Sequence, residues 1–222
     1  EAIECIGGNL NGFTAEENTC YLAKVPAQYA GLAFEILADM SLHPLLDPRD
    51  IEKEKTVVLE EIKMYRDLPQ SYVYELLDAL LWPSQPLGAP IIGSQECVKS
   101  FTRDDLSGYL SRFYSPSNLV VSAAGALSHA KLVKMASRAF MHLKKSAAST
   151  FPAASQVQVE PQLTIFTKDT AQTHMALGFH AFKRDHPRRH AAALLHIIMG
   201  ANMSSRLFEE VREKRGLAYE IG

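Results

Sequence analysis

The stretch Asp47-Pro48-Arg49-Asp50-Ile51-Glu52-Lys53-Glu54-Lys55-Thr56-Val57-Val58-Leu59-Glu60-Glu61-Ile62-Lys63-Met64-Tyr65-Arg66 carries more of the fold than any other. Asp47 is a good helix N-cap and Pro48 a good first-turn residue, and apolar side chains then recur at helical spacing. At about 100° per residue, Ile51, Val58, Ile62 and Tyr65 fall on one arc, with Val57 and Met64 at its far edge. Glu52, Lys53, Thr56, Glu60 and Lys63 fall on the opposite side. Glu54 and Glu61 interrupt the apolar arc. Burying a carboxylate without a partner costs several kcal/mol, so two of them on a packing face imply a cation, a metal or a hydrogen-bonded network. The alternative is a helix edge whose acids turn to water beside Lys55 or Arg66.

Working outward, Gly7-Gly8 signals a turn. Residues 9–14 and 19–25 read as two extended segments joined by Ala15-Glu16-Glu17-Asn18, most simply a hairpin. Residues 27–42 have helical spacing through Leu32, Ile36 and Met40, and Pro44 ends them. Beyond the central helix, residues 71–82 read as a helix closed by Pro83. A Pro/Gly-rich turn covers 86–93, and Thr102-x-x-Asp105 opens a helix that stops before Pro116. Residues 118–124 read as a strand, and Ser128 caps a helix to about residue 143. Residues 163–167 and 173–182 read as strands, then 188–198 and 204–214 as helices.

The order of elements predicts an α+β fold, a layered, antiparallel-rich sheet packed with helices. Residues 144–160 are rich in Ser, Ala, Gln and Pro and form the one credible linker. The strand, strand, helix order recurs after it, which suits a duplicated domain with its second copy truncated. The expected organisation is a first domain at 1–145, a linker at 146–160 and the start of a homologous domain at 161–222. Glu1 is followed at once by strand and turn sequence, and the last residues look like the beginning of a strand. Both ends therefore read as cut from a longer protein.

The bulk numbers narrow the function classes. With 222 residues, 47% hydrophobic and 22% charged, the chain can bury a substantial core. A formal charge of −2 gives no footprint for nucleic acid or an acidic membrane surface. No apolar run reaches the ~20 residues that span a bilayer. Three cysteines without C-x-x-C suggest neither a disulfide framework nor a cysteine zinc site, and read as buried or semi-buried thiols in a reducing compartment such as the cytoplasm.

The eight histidines form neither H-E-x-x-H nor H-x-x-E-H. His190 and His196 fall on opposite faces of a helix, His43 and His129 read as surface or capping residues, and His174 and His180 as strand residues. These residues alone cannot assemble a three-residue zinc site. There is no G-x-S-x-G elbow, P-loop or G-x-G-x-x-G, and residues 200–205 read either as amides presented at the start of the next helix or as a helix-to-helix loop with a serine cap. Arg212 and Tyr219 flank a turn at Gly216. They could both donate to a carbonyl or oxyanion, or be a surface arginine and a core-packed strand tyrosine.

Five segments, in this order and spacing, together resemble the pitrilysin/insulinase family of zinc peptidases, in particular its shorter bacterial and mitochondrial-processing-peptidase type. They are Gly7-Gly8-Asn9-Leu10-Asn11-Gly12-Phe13-Thr14 with Thr19-Cys20-Tyr21, then Glu54-Lys55-Thr56-Val57-Val58-Leu59-Glu60-Glu61. Pro86-Leu87-Gly88 through Gly93, Tyr114-Ser115-Pro116-Ser117-Asn118, and Ser204-Ser205-Arg206-Leu207-Phe208 through Tyr219 complete the set.

The resemblance implies a Zn²⁺-dependent endopeptidase with Glu61 as third metal ligand and Glu54 as the supporting carboxylate. It places an inverted H-x-x-E-H motif, with the two histidine ligands and the glutamate that activates metal-bound water, upstream of Glu1. It implies that the strand holding Asn9, Asn11, Gly12 and Phe13 binds unfolded peptide or presequence-like substrate by strand addition. Arg212 and Tyr219 would reach a catalytic centre in a partner subunit, so the expected assembly is a homodimer or a heterodimer with a family subunit. The same resemblance admits a non-catalytic subunit acting as scaffold or peptide-binding partner. A peptide-binding module outside the family, using the same edge strand, would hold no metal.

Overall fold

The computed structural model describes residues 1–144, 147–156 and 158–222. Lys145, at the end of the expected first domain, and Ser146 and Val157, in the expected linker, lie outside the described residues. The chain divides into two compact units, Glu1–Ala176 and Leu177–Gly222.

The first unit opens with a 3₁₀ turn over Glu4–Ile6 that Gly7 ends at φ 73°. A hairpin follows, β1 (Asn9–Thr14) antiparallel to β2 (Thr19–Lys24), in register from Asn9 opposite Lys24 to Thr14 opposite Thr19. Its four-residue loop is closed by the Ala15 N–H donating to the Asn18 carbonyl at 2.8 Å. Helices α1 (Ala30–Leu42), α2 (Pro48–Asp67), α3 (Pro69–Leu81), α4 (Gln95–Ser100), α5 (Arg103–Phe113) and α6 (His129–Phe140) follow, with short 3₁₀ turns at Ala27–Tyr29 and Pro86–Gly88.

Two start signals act as read, whereas Ser128 stands at the N-terminus of α6 without a side-chain cap bond. The Asp47 carboxylate accepts from the Arg49 N–H at 2.8 Å, with Pro48 in the first turn. Thr102 and Asp105 form a reciprocal capping box, which holds the Asp105 carboxyl below its usual range. Leu68, extended because Pro69 follows it, divides α2 from α3. The helix α4, unforeseen in the sequence, is capped by Ser94, whose hydroxyl accepts from the Cys97 N–H at 3.1 Å.

Packing centres on α2, which lies against α3 and α4, while α1 lies on β2. Ile62 is 2% exposed and Val98 of α4 is also buried. Phe34 of α1 meets Phe140 of α6 edge to face at 6.3 Å. Residues of the expected linker are tied to this unit. The Gln85 side-chain amide makes both hydrogen bonds to the Ser155 backbone, at 2.7 and 3.0 Å, and Asn118 makes two to Ser149, each at 2.9 Å. The second unit holds α7 (Arg189–Met199) and a π-helical turn at Phe208–Glu213.

Two expectations are corrected. Among the described residues the sheet has two strands only, and 118–124, 163–167 and 173–182 carry no ladder. Their alternating apolar residues, Val120, Leu163, Ile165, Met175, Leu177 and Phe179, are exposed. β-branched and aromatic patterning describes what a strand needs once a neighbour and a covering layer are present, and cannot supply either. Among the cysteines, Cys5 and Cys97 are exposed rather than buried and Cys20 is intermediate, all as free thiols.

Gly88 sits in the turn after α3 where a Cβ would overlap the Trp82 carbonyl oxygen and crowd the Asp78 carbonyl. Both are backbone atoms and cannot rotate away. Gly88→Ala should lower unfolding stability by about 1–3 kcal/mol, measured by denaturant titration, whereas Gly31→Ala, with open space at its Cβ, should not destabilise.

Candidate active site

The packing side of α2 runs through Ile51, Lys55, Val58, Leu59 and Ile62, none of which is exposed. Glu54 and Glu61 lie about a quarter turn from Ile62 and Val57 and Met64 further round, and all four are exposed, Val57 at 49% and Met64 at 50%. The acids therefore do not lie on a buried face. The apolar arc read from the sequence is two stripes, one packed and one uncovered, and the carboxylates belong to the uncovered one. Their desolvation cost is not incurred.

Lys55 is the residue that misdirected the periodicity. Its stem lies in the packed stripe while Nζ reaches Glu52 at 2.7 Å and the Lys99 carbonyl at 3.5 Å. Lys63 is bound by Glu60 at 2.6 Å. Glu54 and Glu61 make no hydrogen bond or ion pair to a described residue, and neither Lys55 nor Arg66 pairs with them. Two helical turns separate them, about 10 Å along the axis.

The residues expected to bind substrate, Asn9, Asn11, Gly12 and Phe13, are all exposed on β1, which among the described residues has β2 as its one partner strand. The Asn11 side-chain oxygen accepts from the Gly12 N–H at 2.8 Å. A Cβ at Gly12 would stand 3.3 Å from the Cys20 carbonyl oxygen and in ordinary contact with the ring of Tyr21 opposite it.

The Tyr21 hydroxyl meets the Tyr114 hydroxyl at 3.0 Å, joining β2 to the end of α5. Partial burial, and then this bond, push the Tyr114 hydroxyl well above the usual tyrosine range. The pairing was not foreseen, because 93 residues separate partners that only the tertiary fold brings together. Burial likewise raises the carboxyls of Glu75 and Asp78 on α3, with Arg66 opposing the shift at Glu75 and Glu16 adding to it at Asp78. Neither is singled out in the sequence, where residues 71–82 read only as a helix.

In the second unit, Arg212 and Tyr219 are brought together, the Arg212 guanidinium carbon lying 5.3 Å from the centre of the Tyr219 ring. Tyr219 is 80% exposed, so it is not packed into a core. Ser205 is the cap read from the sequence, its buried hydroxyl accepting from the Phe208 N–H at 3.4 Å.

No three His, Cys, Asp or Glu side chains among the described residues are grouped to hold a metal ion. A tetrahedral Zn²⁺ site takes three or four protein donors. The described residues therefore do not complete one, and offer at most the carboxylates on the α2 flank. Among the described residues no helix is long and apolar enough to cross a membrane.

Comparison with known proteins places this geometry. Residues 1–95 match the model for insulinase (peptidase family M16), and residues 100–222 match that for the peptidase M16 inactive domain. The chain belongs to the M16 peptidase family. It is 39% identical over 221 residues to an uncharacterized zinc protease of Bacillus subtilis, covering 100% of this chain and 53% of that protein. The chain thus spans about half the length of the curated relatives it matches.

Among solved structures, a protease from Helicobacter pylori superposes with a TM-score of 0.80 at 22% identity, over 99% of this chain and 54% of that one. The peptidase M16 inactive domain from Pseudomonas fluorescens gives 0.77 at 19% identity, over 98% and 53%. Both similarities extend over the whole mixed helical fold.

If the donors are incomplete within these residues, the 222-residue chain on its own should bind zinc far more weakly than the intact protein. Competition titration against a chromogenic chelator measures the difference, and equal affinity would show that the site had been misplaced.

Proposed function

We propose that the intact protein containing this chain is a zinc-dependent endopeptidase acting on unfolded peptides or presequence-like segments. The observation that carries the proposal is the α2 flank, where Glu54 and Glu61 stand exposed and, among the described residues, without ion-pair partners. Family membership and the zinc-protease relatives support it.

In this reading Glu61 is a Zn²⁺ ligand, Glu54 is the nearby carboxylate that orients it, and the remaining donors lie outside the described residues. Residues 1–145 form a first peptidase domain, 146–160 a linker and 161–222 the start of a homologous second domain. The chain's own contributions are binding and orientation. The unpaired edge of β1 offers backbone groups to an extended peptide, and Asn11, Gly12 and Phe13 set what it meets there. The Gly12 N–H, held by Asn11, is released to a peptide carbonyl only as the Asn11 side chain turns away. Arg212 and Tyr219 donate to the peptide carbonyl oxygen as charge develops on it. The protein works as a homodimer or family heterodimer in the cytoplasm, each subunit lending Arg212 and Tyr219 to the other's centre.

Glu61→Gln should lower zinc content and peptidase activity together, by metal analysis and cleavage of a fluorogenic peptide, with Glu54→Gln acting more mildly. Full occupancy with full activity in Glu61→Gln would reject the assignment.

Lending of groups between subunits has its own test. Tyr219→Phe should reduce turnover by roughly ten- to a thousandfold with zinc content unchanged. Mixing Tyr219→Phe with Glu61→Gln protomers should restore part of the activity, since one of the two sites then draws every group from an unmutated source. Confirmed mixed dimers without recovery would mean that each site is built within one chain.

A further inference from the structure

The turn that precedes Tyr219 sorts its charges unequally. Lys214 binds Glu209 at 3.0 Å and Glu210 at 2.7 Å, and Arg215 binds Glu210 at 2.8 Å. These contacts draw the Glu210 carboxyl below its usual range and lift Lys214 above its own. Arg212 is left out of the cluster. Its one ion pair among the described residues is a 3.9 Å approach of Nε to Glu213.

Two aromatic rings take the place of an acid. The guanidinium carbon lies 4.6 Å from the centre of the Phe208 ring and 5.3 Å from that of Tyr219, both within cation–π range. Phe208 is 6% exposed and fixed from below, since its N–H is held by the buried Ser205 hydroxyl. The backbone delivers both partners. The segment winds as a π-helical turn, with the Lys214 N–H donating to the Glu209 carbonyl, and Phe208 and Arg212 are four apart on one face. It then closes with Gly216 at φ 58°, the Leu217 N–H donating to the Val211 carbonyl and the Gly216 N–H to the Arg212 carbonyl. The Gly216 bond is the αL type of helix ending and the Leu217 bond encloses it, so that the chain reverses and returns Tyr219 to Arg212.

We propose that Phe208 is a positioning residue, whose buried ring anchors the Arg212 guanidinium against Tyr219 so that the two substrate-facing donors act as one preset unit. The proposal rests on the reading of Arg212 and Tyr219 as groups that meet the peptide carbonyl. A ring is suited to the task because it orients the guanidinium by its face and leaves the edge N–H donors free. A carboxylate in the same place would occupy those donors and neutralise the charge.

The test uses the intact protein with Phe208→Met, which keeps apolar bulk but removes the π face. Expected are a fall in kcat of about ten- to a hundredfold, with zinc content unchanged and KM within about twofold. In the unmutated protein the Arg212 side-chain N–H resonance, assigned by its loss in Arg212→Lys, should lie upfield of those of Arg206 and Arg215, and should move back toward them in Phe208→Met. An Arg212 resonance without ring-current displacement in the unmutated protein would overturn the proposal even if Phe208→Met failed to fold. So would Phe208→Met that loses the displacement yet keeps its kcat, while Arg212→Lys and Tyr219→Phe are impaired. If those two variants themselves turn over normally, the substrate reading falls and the positioning role falls with it.

Discussion

The burial of Ile62 at the α2 interface with α3 and α4 fixes what the rest of the first unit can present. Once that side chain points inward, the helical period places Lys55, Val58 and Leu59 beside it and turns Glu54 and Glu61 away. The magnitudes favour this rotation. Covering Val57 and Met64 instead would gain about 1.5–3 kcal/mol for each side chain. Taking two unpaired carboxylates out of water with them would cost several kcal/mol for each ion. The helix therefore settles with its acids in solvent and two large apolar residues uncovered between and beside them.

How much of this was legible follows from where each signal acts. Caps and prolines act within a turn of themselves, and Asp47-Pro48, Thr102 with Asp105, and Leu68 before Pro69 shape the backbone as their chemistry dictates. The hairpin was equally local, a four-residue loop between two short runs. Failure begins where the outcome depends on a neighbour. Residues 163–167 and 173–182 have strand patterning but no partner strand among the described residues, and a pattern of alternation cannot say whether one exists. On α2 the apolar arc was real, but its two stripes could be separated only by knowing that α4 covers one of them. A lysine in the packed stripe disguised the division. Glu54 and Glu61 break the apolar pattern as the sequence shows, but they do so on an exposed flank and not on a buried face.

The second unit was harder to read for a different reason. A π-helical turn has no sequence signature as plain as a cap, and residues 204–214 scan as an ordinary amphipathic helix. What the scan did catch was Gly216 as its terminator, and the left-handed backbone there explains how Tyr219 can meet Arg212 across a seven-residue interval that no helix spans. Phe208 gave no signal of its own, because a buried phenylalanine in a helical pattern reads as core.

The two candidate groups share one electrostatic design. On α2, Glu52 and Glu60 each bind the lysine three residues on, which removes Lys55 and Lys63 from competition for Glu54 and Glu61. In the π-helical turn, Glu209 and Glu210 take Lys214 and Arg215, which leaves Arg212 to aromatic rings. Exposed pairs of this kind contribute little to stability, with a median near 0–1 kcal/mol. Their effect is on who remains available. Among the described residues Glu61 has no ion pair for a ligand to break, and Arg212 has a single long one, the 3.9 Å contact to Glu213. Local pairing along each segment thus leaves these two side chains less engaged than their charged neighbours.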